Sequence, residues 1–143
     1  MAAIDTCIEN WHRHLRGELP GGLDALLAED VVFHSPIVFT PQKGRDLTKL
    51  YLTAAGTTFG GEAGVGGPKV GASFRYAKEV RTHPHAVLEF ETEVDGKVVN
   101  GVDIITCDEE ARIVEFKVMI RPLQAVNVMH RRMAEMLERM RGA

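Results

Sequence analysis

AVLEFETEVDGKVVNGVDIITCDEEARIVEFKVMIRP, residues 86–122, decides the fold. Apolar and polar residues alternate along it with a period of two, the pattern of strands that bury one face. Asp95-Gly96 separates two such runs. It is a strong hairpin signal, because both central residues of the favoured two-residue turn take positive φ, which Asp and Gly tolerate. Counting outward from the turn pairs Val94 with Lys97, Thr92 with Val99, Phe90 with Gly101 and Leu88 with Asp103, and opposed residues share a face. Asp103 therefore belongs to the apolar side. The next connection, Asp108–Ala111, sets Ile105 against Val114 and Asp103 against Phe116 whether two or four residues form the loop; a loop of three breaks that pairing. One face then gathers Leu88, Phe90, Val99, Ile105, Val114, Phe116, Val118 and Ile120 around a single carboxylate. The other carries Glu89, Glu91, Glu93, Glu115 and Lys117 with several valines.

Ala72–Val80 extends the period of two, so four consecutive strands form an antiparallel meander. Upstream the period changes. Ile4, Ile8, Trp11 and Leu15 are spaced by four, three and four, the stripe of an amphipathic helix ending near Gly17. Leu23, Leu26 and Leu27 suggest a short second helix that stops before the β-branched Val31 and Val32. Val31–Phe39 reads as a strand interrupted by Pro36. Leu47, Leu50, Tyr51 and Ala54 restore the helical period up to about Phe59. After Pro122, Leu123–Arg141 carries Val126, Met129, Met133, Met136 and Met140 at helical spacings. The expected architecture is an α+β cone: N-terminal helices packed on a curved antiparallel or mixed β-sheet, with an extra C-terminal helix, in one domain spanning residues 1–143. Gly60–Gly71, with six glycines in twelve residues, reads as a flexible lip over the pocket.

Of the 143 residues, 45% are hydrophobic and 26% charged, a globular balance. A formal charge of -3 supplies no general cationic field, so nucleic acid is not an expected partner. No apolar run approaches the roughly 18 to 20 residues of a membrane helix, and Asp5 and Glu9 fall where a signal peptide is apolar. No membrane partner is expected. Cys7 and Cys107 lie far apart without a CxxC, which argues against zinc and a disulfide framework and fits the cytoplasm. His12 and His14, two apart on a helix, cannot form a helical metal pair and read as surface residues. His83-Pro84-His85 lacks a third ligand nearby in sequence. The glycine-rich segment carries no phosphate-binding motif. No metal or cofactor is expected.

Residues 26–52, LLAEDVVFHSPIVFTPQKGRDLTKLYL, and residues 101–122, GVDIITCDEEARIVEFKVMIRP, resemble the SnoaL-like members of the nuclear transport factor two-like superfamily. The resemblance implies a cone whose cavity binds an apolar small molecule, and a homodimer formed through the outer sheet face. Its chemistries include isomerisation, cyclisation and dehydration by proton transfer, but the superfamily also holds non-catalytic binding proteins and protein-interaction modules. By the same resemblance Asp103 coincides with the acid that donates to the developing enolate in ketosteroid isomerase. Ser35 stands where that enzyme has its general-base aspartate, and serine does not take up that proton unaided. The isomerase tyrosine falls near Trp11, whose indole donates one hydrogen bond but is not an acid.

The candidate catalytic pair is therefore Asp103, raised in pKa by its apolar face, and His34, which alternates with Val32 and titrates near neutrality. Trp11, Ser35, Phe90, Phe116 and Val118 are the expected ligand-binding residues. The structural alternative for Asp103 is an aspartate that accepts bonds from backbone or from a side chain such as Trp11 or a histidine.

Overall fold

Ile4, Cys7, Ile8 and Trp11 are all buried along α1 (Ala3–Leu15), the expected amphipathic helix. The computed structural model describes residues 1–60 and 74–142, with side chains for 1–56 and 74–139. Apart from Gly60, the glycine-rich stretch expected to form a lip lies outside the described residues. After α1 come α2 (Gly22–Leu26), β1 (Leu27–His34), β2 (Gln42–Lys43) and α3 (Arg45–Gly60). The remaining elements are β3 (Arg75–Thr82), β4 (His85–Val94), β5 (Lys97–Cys107), β6 (Ile113–Arg121) and α4 (Leu123–Gly142). Among the described residues no helix is long and apolar enough to cross a membrane.

The strands form one sheet in the order β2-β1-β6-β5-β4-β3. The β1–β6 pair is parallel and the other neighbours are antiparallel, so the sheet is mixed. The helices pack on it as the expected α+β cone. β1 starts at Leu27, four residues before the expected Val31, because Leu27 pairs with Ile113 of β6 and sheet pairing overrides the local helical pattern. It ends at His34, two residues before Pro36, which has no N–H to continue a ladder.

The β4–β5 register is the one counted from Asp95-Gly96, with Leu88 opposite Asp103 and Phe90 opposite Gly101. Asp95 (φ 51°) and Gly96 (φ 77°) hold the turn. A Cβ added at Gly101 would lie 2.6 Å from both Phe90 Cζ and the Met119 carbonyl oxygen, so glycine gives the Phe90 ring its place. The β5–β6 register differs from expectation. Asp108 N–H donates to the Arg112 carbonyl oxygen at 2.9 Å, which leaves a connection of three residues with Ala111 at φ 65°. That connection sets Cys107 against Ile113, which puts Ile113 in the core, and a bulge between Thr106 and Cys107 adds one further residue. Ile105 therefore faces Phe116 and Asp103 faces Val118, two residues beyond the expected partners.

Two apolar clusters result. Ile4, Cys7, Ile8, Trp11, Leu23, Leu26 and Val31 meet Leu88, Ile105, Ile113 and Phe116 under α1 and α2. Phe90, Val94 and Val99 meet Ala125, Val128 and Met129 of α4.

Candidate functional site

Between α1, α3, α4 and the inner face of the sheet lies a cavity of about 240 Å³. This is just below the roughly 300 Å³ at which drug-sized sites begin. α1 contributes Trp11, His14 and Leu15, the end of β1 and the loop after it Phe33, Ser35, Pro36, Ile37 and Val38, and α3 Tyr51, Leu52 and Ala55. Phe74, Tyr76, Phe90, Asp103, Phe116 and Val118 form the sheet wall, and α4 closes another side with Met129, His130, Met133 and Leu137. Flat rings dominate: Phe33 stacks on Tyr51 at 5.5 Å, Phe74 on Phe90 at 5.4 Å, and Trp11 meets Phe116 edge-on at 5.0 Å.

Asp103 is 6% exposed in this apolar wall. Trp11 Nε1–H donates to the Tyr76 hydroxyl oxygen at 2.9 Å, and Tyr76 O–H donates to Asp103 Oδ2 at 2.6 Å. Burial pushes the Asp103 carboxyl up to about 7, against the opposing pull of the Tyr76 hydrogen bond. Burial first, and the neighbouring Asp103 charge second, raise Tyr76 well above its ordinary value, so the phenol stays a donor. Tyr76 donates to Oδ2, so a proton on the carboxyl resides on Oδ1.

Asp103, Trp11, Ser35, Phe90, Phe116 and Val118 all line the cavity. His34 does not. The pleat that turns Phe33 inward turns His34 to the other face, where its Nε2 lies 2.8 Å from Glu115 Oε2. The expected His34–Asp103 pair is therefore not formed. Ser35 Oγ accepts backbone N–H bonds from Ile37 at 3.0 Å and Val38 at 3.4 Å, shaping the loop.

Two residues escaped the sequence reading. Carrying the pairing across His83-Pro84 without interruption sets Tyr76 opposite Glu91 on the outer face. A bulge between Tyr76 and Lys78 instead sets it opposite Phe90, inside. His14, expected at the surface, lines the cavity. Its signal was the spacing of three from Trp11, which puts both rings on one helix face. His12 turns the other way and pairs with Glu79 at 2.7 Å.

Among solved structures, the chain is similar to a steroid delta-isomerase from Pseudomonas aeruginosa, with 27% identity and a TM-score of 0.85 over 100% of this chain and 97% of that one. The chain belongs to the nuclear transport factor two-like, ketosteroid isomerase-like superfamily. It is also similar to an uncharacterised protein with a cystatin-like fold from Silicibacter pomeroyi, at 28% identity and a TM-score of 0.72 over 88% of this chain and 83% of that one. A nuclear transport factor two-like protein of unknown function from Mesorhizobium loti shares the fold at 16% identity and a TM-score of 0.63, over 84% of this chain and 92% of that one. No family model and no curated protein sequence matches the chain.

In this superfamily member the cavity can do two things chemically. Its rings can sandwich a flat apolar molecule, and the Asp103 carboxyl can donate to an oxygen on it. As negative charge develops on that oxygen, a donor already fixed in an apolar wall stabilises it more than water would.

Proposed function

We propose that this protein binds a flat, apolar small molecule bearing an oxygen acceptor, and that Asp103 donates to that oxygen during an isomerase-type proton shift. The observation that carries the reading is the Trp11–Tyr76–Asp103 chain, which ends on a carboxyl raised to about 7 in a mostly apolar cavity. A carrier for hydrocarbons needs no buried carboxyl, whose desolvation is unfavourable unless a partner or a ligand compensates. The similarity to a steroid delta-isomerase supports the same chemistry. Within the superfamily the segments 26–52 and 101–122 favour the SnoaL-like group. Cys7 and Cys107 are free thiols, which suits the cytoplasm.

The bicyclic ketone 1-tetralone and its oxygen-free counterpart tetralin test the reading. Trp11, the chain's one tryptophan, reports binding by fluorescence. Tetralone is expected to bind about tenfold more tightly than tetralin, a difference of roughly 1.4 kcal/mol. Asp103→Leu is expected to erase the difference without loss of tetralin affinity. Equal affinities for the two probes in the unaltered protein would refute the donor role.

We also propose that the outer sheet face pairs with a second copy. Val80, Val87, Val98 and Met119 are exposed there, more apolar surface than that face needs in a monomer. Sedimentation at micromolar concentration is expected to show a dimer that Met119→Lys splits, and a monomeric unaltered protein would end the idea.

A further inference from the structure

The proton shift needs an acceptor as well as a donor, and neither Ser35 nor His34 supplies it. Ser35 Oγ is an acceptor of loop amide bonds, and His34 lies against Glu115 on the opposite face. We propose that His14 is the base of this cavity, taking a proton from a ligand carbon while Asp103 holds the ligand oxygen. The inference rests on the functional reading above and adds the missing partner.

Position comes first. His14 follows Trp11 by three residues on α1, so its imidazole shares the helix face that carries the indole and lines the same cavity as Asp103. Its ring lies 5.6 Å from that of Trp11 at an interplanar angle of 34°. Trp11 is in turn fixed by its bond to Tyr76, so acid and base are referenced to one network. The imidazole makes no hydrogen bond to a described residue, which leaves a ring nitrogen for a ligand. Burial also lowers its pKa, so the ring is an unprotonated base at neutral pH. His130 lines the cavity as well, but from the exposed surface of α4. The lowered imidazole and the raised carboxyl each favour the neutral form, which reduces the charge an apolar ligand meets on entry.

5-Nitrobenzisoxazole probes this pair without knowledge of the natural ligand. A base takes its ring C–H proton, the C–H electrons complete a nitrile, the N–O bond breaks, and the released phenolate oxygen accepts the Asp103 hydrogen bond. Every atom and electron is accounted for within probe and protein. Trp11 fluorescence measures binding of the probe, and phenolate absorbance measures turnover. His14→Gln and His14→Ala are each expected to lower turnover about a hundredfold, the low end of what a positioned base contributes. Binding is expected to stay within about threefold, and added imidazole to restore turnover of His14→Ala. Turnover unchanged in both variants would overturn the assignment. So would turnover that vanishes in Asp103→Asn and persists in His14→Gln, which would make Asp103 the base. Binding without turnover in the unaltered protein would remove His14 as a base and leave the binding reading standing. Failure to bind would end both.

Discussion

Asp103 and Glu115 are carboxylic acids on adjacent strands, facing opposite sides of one sheet. On the inner face Asp103 is enclosed by aromatic rings, takes a phenol hydrogen bond at 2.6 Å, and is raised to about 7 by burial. On the outer face Glu115 keeps a side-chain exposure of 42% and sits 2.8 Å from His34. The histidines divide the same way, His14 inside against Trp11 and His34 outside against Glu115. The pleat puts Asp103 inside and Glu115 outside, and the helix face shared with Trp11 puts His14 at the cavity. Burial favours the protonated form of a carboxyl and makes it a donor, whereas a half-exposed carboxyl keeps solvent beside its partner.

The largest expected effect tests that contrast through stability. Unfolded, the Asp103 carboxyl has its ordinary value of 3.8; folded, it lies near 7. Between these values the folded chain holds a proton that the unfolded chain has lost. Stability from this group is therefore full below about pH 4, falls as pH rises, and levels above about pH 7. Asp103→Asn has no proton to lose. Its stability relative to the unaltered protein is expected to grow by about 4 kcal/mol from pH 4 to pH 8. Urea unfolding at a series of pH values measures the difference. A flat difference for Asp103→Asn would mean that burial does not hold the proton and would erase the distinction between the two faces.

The inner face was legible where a turn announced its own geometry. Asp95-Gly96 takes positive φ at both positions, and every β4–β5 pair follows from it, Leu88 against Asp103 included. The next connection hid its geometry, since its positive φ falls on Ala111, a residue with no turn preference. Asp108 Oδ1 stabilises it by accepting from Glu110 N–H and Arg112 N–H, both at 2.9 Å. The connection slips the register by one residue and the bulge between Thr106 and Cys107 by another, together a full period of the pleat, so Phe116 and Val118 stay inside. Tyr76 illustrates the opposite case. A bulge displaces the register by one residue, which exchanges the faces, and neither Ala77 nor its neighbours mark it in sequence. The phase of His34 is not legible, because a lone strand end beside Pro36 carries no marker of it, whereas β1 takes its phase from pairing in parallel with β6. His14 is legible in principle, since a spacing of three places it on the helix face of Trp11.

The smallest expected effect concerns His34, and it sharpens the comparison from the wet side. The Nε2–Glu115 contact is short, yet the side chains are 24% and 42% exposed, so each partner regains water when the other is removed. Pairs of this kind contribute about 0 to 1 kcal/mol, because solvent screens the attraction and two side chains are held in one geometry. His34→Ala is therefore expected to lower stability by less than about 1 kcal/mol and to leave the affinities for tetralone and tetralin unchanged. The sheet itself lies between this pair and the cavity, with Phe33 and Phe116 on the inner side. Only a shift of β1 against β6 would carry the change across. Loss of ligand affinity in His34→Ala would show that the two faces are coupled through that parallel pair, and the division between a dry functional face and a wet structural one would have to be given up.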